Sequence, residues 1–189
     1  MRTRLFIGLV IAASICSAAA AGIAYAFSTS VLPGLDRVEP RASIASMQGI
    51  IDEAASNVLF LLLLIGSGVL AVAVGLIAAV RLRSPGSVYL LLGAVCTLAA
   101  GFVTLVFNVP LNKHLSSLAV EQLSVIDAGR EWQDFADPWM VWNYVRCVSG
   151  LVGAALLTVG LWKRCQQSSV APTRRGGGQL GGVNPPVSG

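Results

Sequence analysis

The chain has 189 residues, of which 55% are hydrophobic and only 12% are charged, and its mean hydropathy is +0.75. A soluble domain carries roughly 25% charged residues, so this composition excludes an ordinary water-soluble domain. The net charge of +4 does not indicate nucleic-acid binding, because the basic residues occur in scattered pairs without interleaved aromatic side chains.

Four apolar segments come close to the about 20 residues that a helix needs to cross the bilayer core. The predicted spans cover residues 5–27, 57–80, 88–107 and 138–162. We therefore expect an all-α fold, a four-helix transmembrane bundle within residues 1–165, in a multi-pass protein of the cell membrane. Residues 166–189 are rich in Gly, Pro and Ser and are predicted to form a disordered cytoplasmic tail.

The first span also has features of a signal peptide. Arg2 and Arg4 precede its apolar run, and small residues occupy positions 18–21, where cleavage is the alternative to retention. The apolar stretch exceeds the usual signal-peptide core of about 7–15 residues, so we expect the span to be retained.

The charges indicate the orientation of the spans. Basic residues without acids precede span one, join spans two and three, and follow span four, whereas every acidic residue falls in the other two loops. The positive-inside rule then places both chain ends in the cytoplasm. The two outer loops are predicted to contain short amphipathic helices, because apolar residues recur at helical spacing there. These residues are Ile44, Met47 and Ala54 in loop one and Leu115, Leu118, Val125 and Ile126 in loop three.

Small residues at close spacing predict tight helix packing. Such residues let helices approach each other in lipid, where no hydrophobic force drives association. They are Ser149 with Gly153 and Gly150 with Ala154 in span four, and Gly66, Gly68 and Gly75 in span two.

The four cysteines, Cys16, Cys96, Cys147 and Cys165, form no CxxC pair and have no metal-ligand spacing. This pattern predicts small buried side chains and no metal site, and it argues against a membrane thiol oxidase.

Polar residues concentrate at the start of span four. Asp137-Pro138 predicts the beginning of its helix, because Asp caps helices and Pro is favoured in the first turn. Arg146 then lies roughly 12 Å further along the helix, near or below the hydrocarbon boundary. A cation there needs compensation, which we expect from an outer-loop carboxylate. The candidate carboxylates are Asp52, Glu53, Asp134 and Asp137, and amide side chains at neighbouring span ends are Asn57, Asn108 and Asn112.

The convergence of this cation, the amides and Trp139 and Trp142 from three spans supports a functional pocket. In the alternative interpretation, Arg146 and the asparagines fasten helix ends and the tryptophans form an aromatic belt. His114 is the sole histidine and lies beside this cluster, with a solvated loop residue as the alternative interpretation.

Four motifs carry a family resemblance. They are YAFSTSVLPGL at 25–35, SMQ at 46–48, FNVPLN at 107–112 and W-x-x-W-N-x-x-R at 139–146. In this order and spacing the chain resembles the bacterial anthrone oxygenase-like membrane proteins over roughly residues 5–162. The resemblance implies a four-pass fold with signature residues Phe27, Ser28, Pro33, Asn108, Pro110, Asn112, Trp139, Trp142, Asn143 and Arg146.

The resemblance also implies an activity: oxidation of a planar aromatic substrate of the anthrone type by dioxygen, without a cofactor. Such an enzyme needs donors for an oxyanion and flat walls for the rings. Under this hypothesis, Arg146, Asn143 and Asn108 stabilise the enolate, and His114 is a candidate base. Candidate substrate-binding residues are Trp139, Trp142, Asn112, Phe27, Ser28 and Asn57.

The competing hypothesis is a non-enzymatic membrane protein that binds a lipid, a quinone or a partner helix in the same outer polar pocket. Both hypotheses give the lipid bilayer as a partner, and the first adds a hydrophobic aromatic small molecule. Neither the substrate nor the oligomeric state follows from the sequence.

Overall fold

The structure is a computed structural model that describes residues 2–170, with side chains for residues 4–166. Most of the predicted tail, residues 171–189, lies outside the described residues. Within the described range the chain is helical and has no strand. Its elements are α1 (Arg2–Ala26), a π-helical turn (Phe27–Val31), α2 (Leu32–Leu35), α3 (Pro40–Ser56), α4 (Val58–Val80), α5 (Ser87–Val103), a second π-helical turn (Thr104–Asn108), α6 (Val109–Ser116), a 3-10 turn (Val120–Gln122) and α7 (Val125–Val170).

Four continuous rods are long and apolar enough to cross a membrane. The first joins α1 to α2 through a π-helical turn, the second is α4, the third joins α5 to α6, and the fourth is α7. Their bounds are Arg4–Leu35, Val58–Val80, Ser87–Ser116 and Val125–Gln166. The predicted all-α bundle of four membrane helices is confirmed, and the chain is a multi-pass membrane protein.

The rods surround a common axis in the order α1, α4, α5 and α7, so that α4 lies diagonally across the bundle from α7. At the end that carries Arg4, Arg81 and Lys163, here called the basic end, all four rods pack closely. The buried core of this end consists of Val10, Ala13, Val74, Ala78, Leu90 and Leu157.

The opposite end, here called the capped end, is covered by α3, α6 and the first turns of α7. Loop one forms the predicted amphipathic helix, α3, whose Ile44 and Met47 are buried. The residues predicted to form one amphipathic helix in loop three do not share a helix: Leu115 is buried on α6, Leu118 lies between α6 and the 3-10 turn, and Val125 and Ile126 are exposed at the start of α7. A second core joins these segments and includes Leu32, Leu115, Val120, Trp132 and Phe135.

Glycines bring α7 close to two neighbours, as the spacing of small residues predicts. A Cβ on Gly153 would lie 2.6 Å from the Oγ1 of Thr97 on α5, and one on Gly150 would lie 2.9 Å from the Cβ of Ala21 on α1. The glycines of α4 behave differently. A Cβ on Gly75 would lie 3.1 Å from the Cβ of Ala94, whereas one on Gly66 or Gly68 would meet nothing within 4 Å.

The helix start predicted at Asp137-Pro138 is wrong, because α7 begins at Val125 and Pro138 lies inside it. The cap is instead Ser124, whose Oγ accepts a hydrogen bond from the backbone N–H of Asp127 at 3.1 Å. Ser124 in turn donates its hydroxyl to the Asp127 carboxylate at 2.6 Å. These two hydrogen bonds between Ser124 and Asp127 cap the start of the helix. Pro138 lies within the helix, where it has no N–H to donate to the carbonyl of Asp134.

Candidate functional site

Two adjoining cavities occupy the half of the bundle nearer the capped end. With that end drawn upward, the upper cavity lies beneath α3 and has a volume of about 540 Å³, and the lower cavity lies between the membrane rods and has about 730 Å³. Both volumes are in the range of small-molecule sites, about 300–1,000 Å³. The residues that line both cavities are Leu61, Leu64, Thr104, Val109 and Arg146.

Arg146 is the cation at the junction of the two cavities. Within the described residues, no carboxylate lies within 4.0 Å of its guanidinium and no hydrogen bond reaches it. The expected pairing with an outer-loop carboxylate is therefore wrong. Asp137 lies about 13 Å from Arg146 along α7, too far for side chains to bridge. The other candidates, Asp52, Glu53 and Asp134, are likewise exposed at the capped end.

The depth of Arg146 makes this missing partner costly. Arg146 and Lys163 are separated by about 25 Å along α7, and the hydrocarbon layer is about 30 Å thick. With Lys163 at the basic interface, Arg146 lies inside the opposite edge of the hydrocarbon layer. An unpaired cation at that depth is expensive and defaults to a functional role.

Aromatic rings and amides form the walls of the upper cavity. The rings of Phe27 and Trp139 have centroids 5.9 Å apart at 49°. Trp139 donates from Nε1 to the Oδ1 of Asn112 at 2.9 Å, which fixes the indole against α6. Asn108 donates weakly to the Trp139 carbonyl at 3.4 Å, and its buried Oδ1 has no hydrogen-bond partner among the described residues. A ligand hydroxyl would satisfy that oxygen.

Asn143 lies one turn above Arg146 and joins α7 to the first rod. Its Nδ2 donates to the Ala24 carbonyl and to the Ser28 Oγ, each at 2.7 Å. Asn143 and Ser28 are almost fully buried and line neither cavity. Both side chains therefore hold the helix that carries Arg146 in place.

The two π-helical turns stand at equivalent places in the first and third rods. Each ends two residues before a proline, Val31 before Pro33 and Asn108 before Pro110. Proline has no N–H for the carbonyl four residues earlier, so the hydrogen-bond register shifts around it. The turns contain Ser28 and Asn108 and so determine where these two side chains lie.

Besides Asn143 and Ser28, three further predicted site residues line neither cavity. Trp142 stacks on Phe107 with centroids 3.5 Å apart and an interplanar angle of 9°. His114 is exposed, with its Nε2 2.9 Å from the Oε2 of Glu131. Asn57 caps α4 by accepting from the backbone N–H of Phe60 at 3.0 Å.

The sequence of this membrane bundle matches a known family. A family model described as anthrone oxygenase matches residues 55–156, more than half of the 189 residues. The chain belongs to the anthrone oxygenase family. No curated protein and no solved structure matches the chain.

The family assignment confirms the resemblance predicted from the sequence motifs. The matched part of this anthrone oxygenase family member contains Asn108, Asn112, Trp139 and Arg146, which line the upper cavity or its junction with the lower one. Phe27 also lines the upper cavity but precedes the matched segment.

Several lining residues of this anthrone oxygenase family member were not predicted. Lys113 lines the upper cavity directly after Asn112, and Thr104 lies one turn before Asn108 on the same rod. Helical spacing from Asn108 would have found Thr104, four residues earlier, but not Lys113, which lies five residues later and so off that face of the helix. In the part of the chain that the structure describes, no group of three or more His, Cys, Asp or Glu side chains could hold a metal ion.

Proposed function

We propose that the protein is a cofactor-independent oxygenase of the cell membrane that oxidises a planar, anthrone-type aromatic in the upper cavity. The observation that carries the proposal is an unpaired, partly buried cation, Arg146, at the floor of a cavity with aromatic walls. In this proposal the capped end faces away from the cytoplasm, as the charge distribution predicts.

The reaction needs only a base and dioxygen. The methylene carbon of an anthrone loses a proton, and the resulting anion is an aromatic phenolate that reacts directly with dioxygen. Dioxygen forms a carbon–oxygen bond and, after protonation, a hydroperoxide that loses water to leave a carbonyl group. The balance is one anthrone and one dioxygen to one anthraquinone and one water, so dioxygen is the oxidant.

Arg146 is suited to the first step because it stabilises negative charge that develops on the substrate oxygen. A preorganised cation in a water-poor site lowers the barrier by an amount typical of oxyanion holes, about 3–4 kcal/mol. The free Oδ1 of Asn108 would accept a hydrogen bond from a ring hydroxyl, and Phe27 and Trp139 would flank the ring system.

The proposal assigns no catalytic role to His114, because that side chain is exposed, pairs with Glu131 and lines neither cavity. Among the residues that the structure describes, none of those that line the two cavities is an aspartate, glutamate or histidine. In the proposal the proton therefore passes to water. Asn143 acts as a positioning residue through its bonds to the first rod.

Oxygen uptake by the purified full-length protein tests this proposal. In mild detergent with emodin anthrone, the wild type should accelerate uptake, and Arg146→Gln should lower kcat/KM by about 100-fold. If the wild type does not accelerate oxygen uptake with any of several anthrones, or if Arg146→Gln keeps full activity, the proposed oxygenase function is wrong.

Non-enzymatic binding of a quinone or lipid is the second candidate function. It is favoured by the same absence of a carboxylate or histidine among the lining residues of both cavities. A binder would take up an anthraquinone at equilibrium, with affinity lost in Arg146→Gln, and would leave the rate of oxygen consumption unchanged.

A further inference from the structure

Among the described side chains that line the lower cavity, one polar group is free to bind a ligand. The other polar lining side chains are hydroxyls that already donate within the bundle. Ser17 donates to the Gly150 carbonyl at 2.9 Å, and Thr97 donates to the Gly93 carbonyl at 3.0 Å. Ser67 and Thr104 likewise donate to the carbonyls of Leu64 and Ala100, at 2.8 and 2.9 Å. Arg146 alone, among the described residues that line the lower cavity, offers unused donors.

The remaining wall is hydrocarbon, contributed mainly by α4 and α5. It includes Leu61, Leu64, Ile65, Leu98, Phe102 and Leu105. An apolar cavity with a single cation at one end has the charge distribution that complements an amphiphile with an anionic head. Arginine suits this role because its guanidinium can donate two parallel hydrogen bonds to a carboxylate.

The cavity is open towards the lipid between α4 and α5. Near the basic end the two helices touch, since a Cβ on Gly75 would lie 3.1 Å from the Cβ of Ala94. Further up, a Cβ on Gly68 or Gly101, which both line the cavity, would meet nothing within 4 Å, so neither glycine contacts the facing helix. Ile65, Phe102 and Leu105 line the cavity and are also 62–70% exposed on the membrane-facing surface.

We propose that the lower cavity binds a long-chain carboxylate, whose head pairs with Arg146 and whose hydrocarbon chain enters from the bilayer between α4 and α5. The volume of about 730 Å³ suits a ligand with one chain. The lower cavity differs from the upper cavity proposed for anthrone oxidation, but the two adjoin at Arg146, which would meet either ligand.

Equilibrium binding of oleate to the full-length protein in phosphatidylcholine nanodiscs tests the proposal. The wild type should bind oleate saturably, and oleyl alcohol, which has the chain without the charge, should compete at least tenfold less well. Arg146→Gln should weaken oleate binding at least tenfold, about 1.4 kcal/mol. Absence of saturable binding, or equal competition by the alcohol, would overturn the proposal.

Two glycines on α4 provide a matched pair of variants. Gly68→Leu places a side chain in the lower cavity and should weaken oleate binding at least tenfold, whereas Gly66→Leu lies outside both cavities and should bind like the wild type. Equal affinities would refute the site. If Gly68→Leu does not fold, Gly101→Leu fills the same cavity from α5 and serves the same comparison.

Two further measurements separate the alternatives. Phosphatidylglycerol included in the nanodiscs should not displace oleate. Displacement would show that the site binds an anionic phospholipid head instead, which would overturn the proposal. Oleate binding is measured without any anthrone, so its failure leaves the oxygenase proposal intact. Conversely, failure of oxygen uptake does not affect the oleate measurement.

Discussion

Asn143 donates a hydrogen bond from its side-chain amide to the hydroxyl of Ser28 across 2.7 Å, and so joins α7 to the π-helical turn of the first rod. The same amide bonds the Ala24 carbonyl at 2.7 Å. These contacts lie one turn from Arg146 in a layer with almost no access to solvent. The position of the cation thus depends on a buried polar contact between the first and last membrane helices.

Asn143→Ala should destabilise the protein by about 1–3 kcal/mol, because it leaves the Ala24 carbonyl and the Ser28 hydroxyl without their buried donor. Ser28→Ala should cost less, since the Ala24 contact remains. In a double-mutant cycle measured by unfolding in mild detergent, the two residues should couple by at least about 0.5 kcal/mol. Strictly additive losses would contradict the direct contact.

Arg146→Leu should keep or raise the melting temperature, because it removes an unpaired cation from the hydrocarbon region. Arg146→Asp should lower the melting temperature, since it places an unpaired anion at the same depth. A thermal melt of the three proteins in one detergent measures both effects. A large loss of stability in Arg146→Leu would reveal a partner that stabilises the guanidinium.

His114→Ala should change stability by less than about 1 kcal/mol, because its pair with Glu131 is exposed to solvent. If the protein oxidises anthrones, this variant should also retain the wild-type kcat/KM. Glu131→Gln is the matched control, since it removes the other half of the pair. A lower kcat/KM for His114→Ala but not for Glu131→Gln would show that His114 has a catalytic role.

Gly153→Ala should destabilise the bundle by about 1–3 kcal/mol, because its Cβ would lie 2.6 Å from the Thr97 Oγ1 and 3.1 Å from the Gly93 carbonyl oxygen. Gly66→Ala is the control and should stabilise α4 by about 0.5–1 kcal/mol, since the new methyl meets nothing within 4 Å. Equal melting temperatures for the two variants would contradict the close packing of α5 and α7.

The predicted orientation can be tested by cysteine labelling of intact cells in a Cys165→Ser background. A membrane-impermeant maleimide should label Gln122→Cys at the capped end without lysis. Leu82→Cys, in the turn between α4 and α5, should react only after lysis. The reverse pattern would invert the orientation and place the capped end in the cytoplasm.

The sequence predicted the helices well because hydrophobic length is a local property. Four long apolar runs identified the four rods, and Arg146 stood out as a cation within the last one. Contacts between rods were less predictable. The expected pairing of Arg146 is wrong because charge counting ignores distance along the helix. Asp137-Pro138 has the residue types of a helix start, but Ser124 and Asp127 form the cap earlier in the chain.

The π-helical turns were not predicted, because the hydrogen-bond shift around a proline depends on what the neighbouring rods offer the displaced groups. Trp142 was placed in the pocket because it shares a helical face with Asn143 and Arg146. The structure instead stacks it on Phe107. A one-dimensional periodicity identifies a face but not the neighbour that occupies it.

The opening between α4 and α5 above Gly75 has an implication for how relatives could differ in ligand size. The α4 wall of the lower cavity consists of Leu61, Leu64, Ile65, Ser67 and Gly68, on a helix that lies diagonally opposite α7. Substitutions there would enlarge or shorten the cavity without moving Arg146, Asn143 or the first π-helical turn. One helix can thus diversify in sequence while the polar layer that positions the cation stays constant.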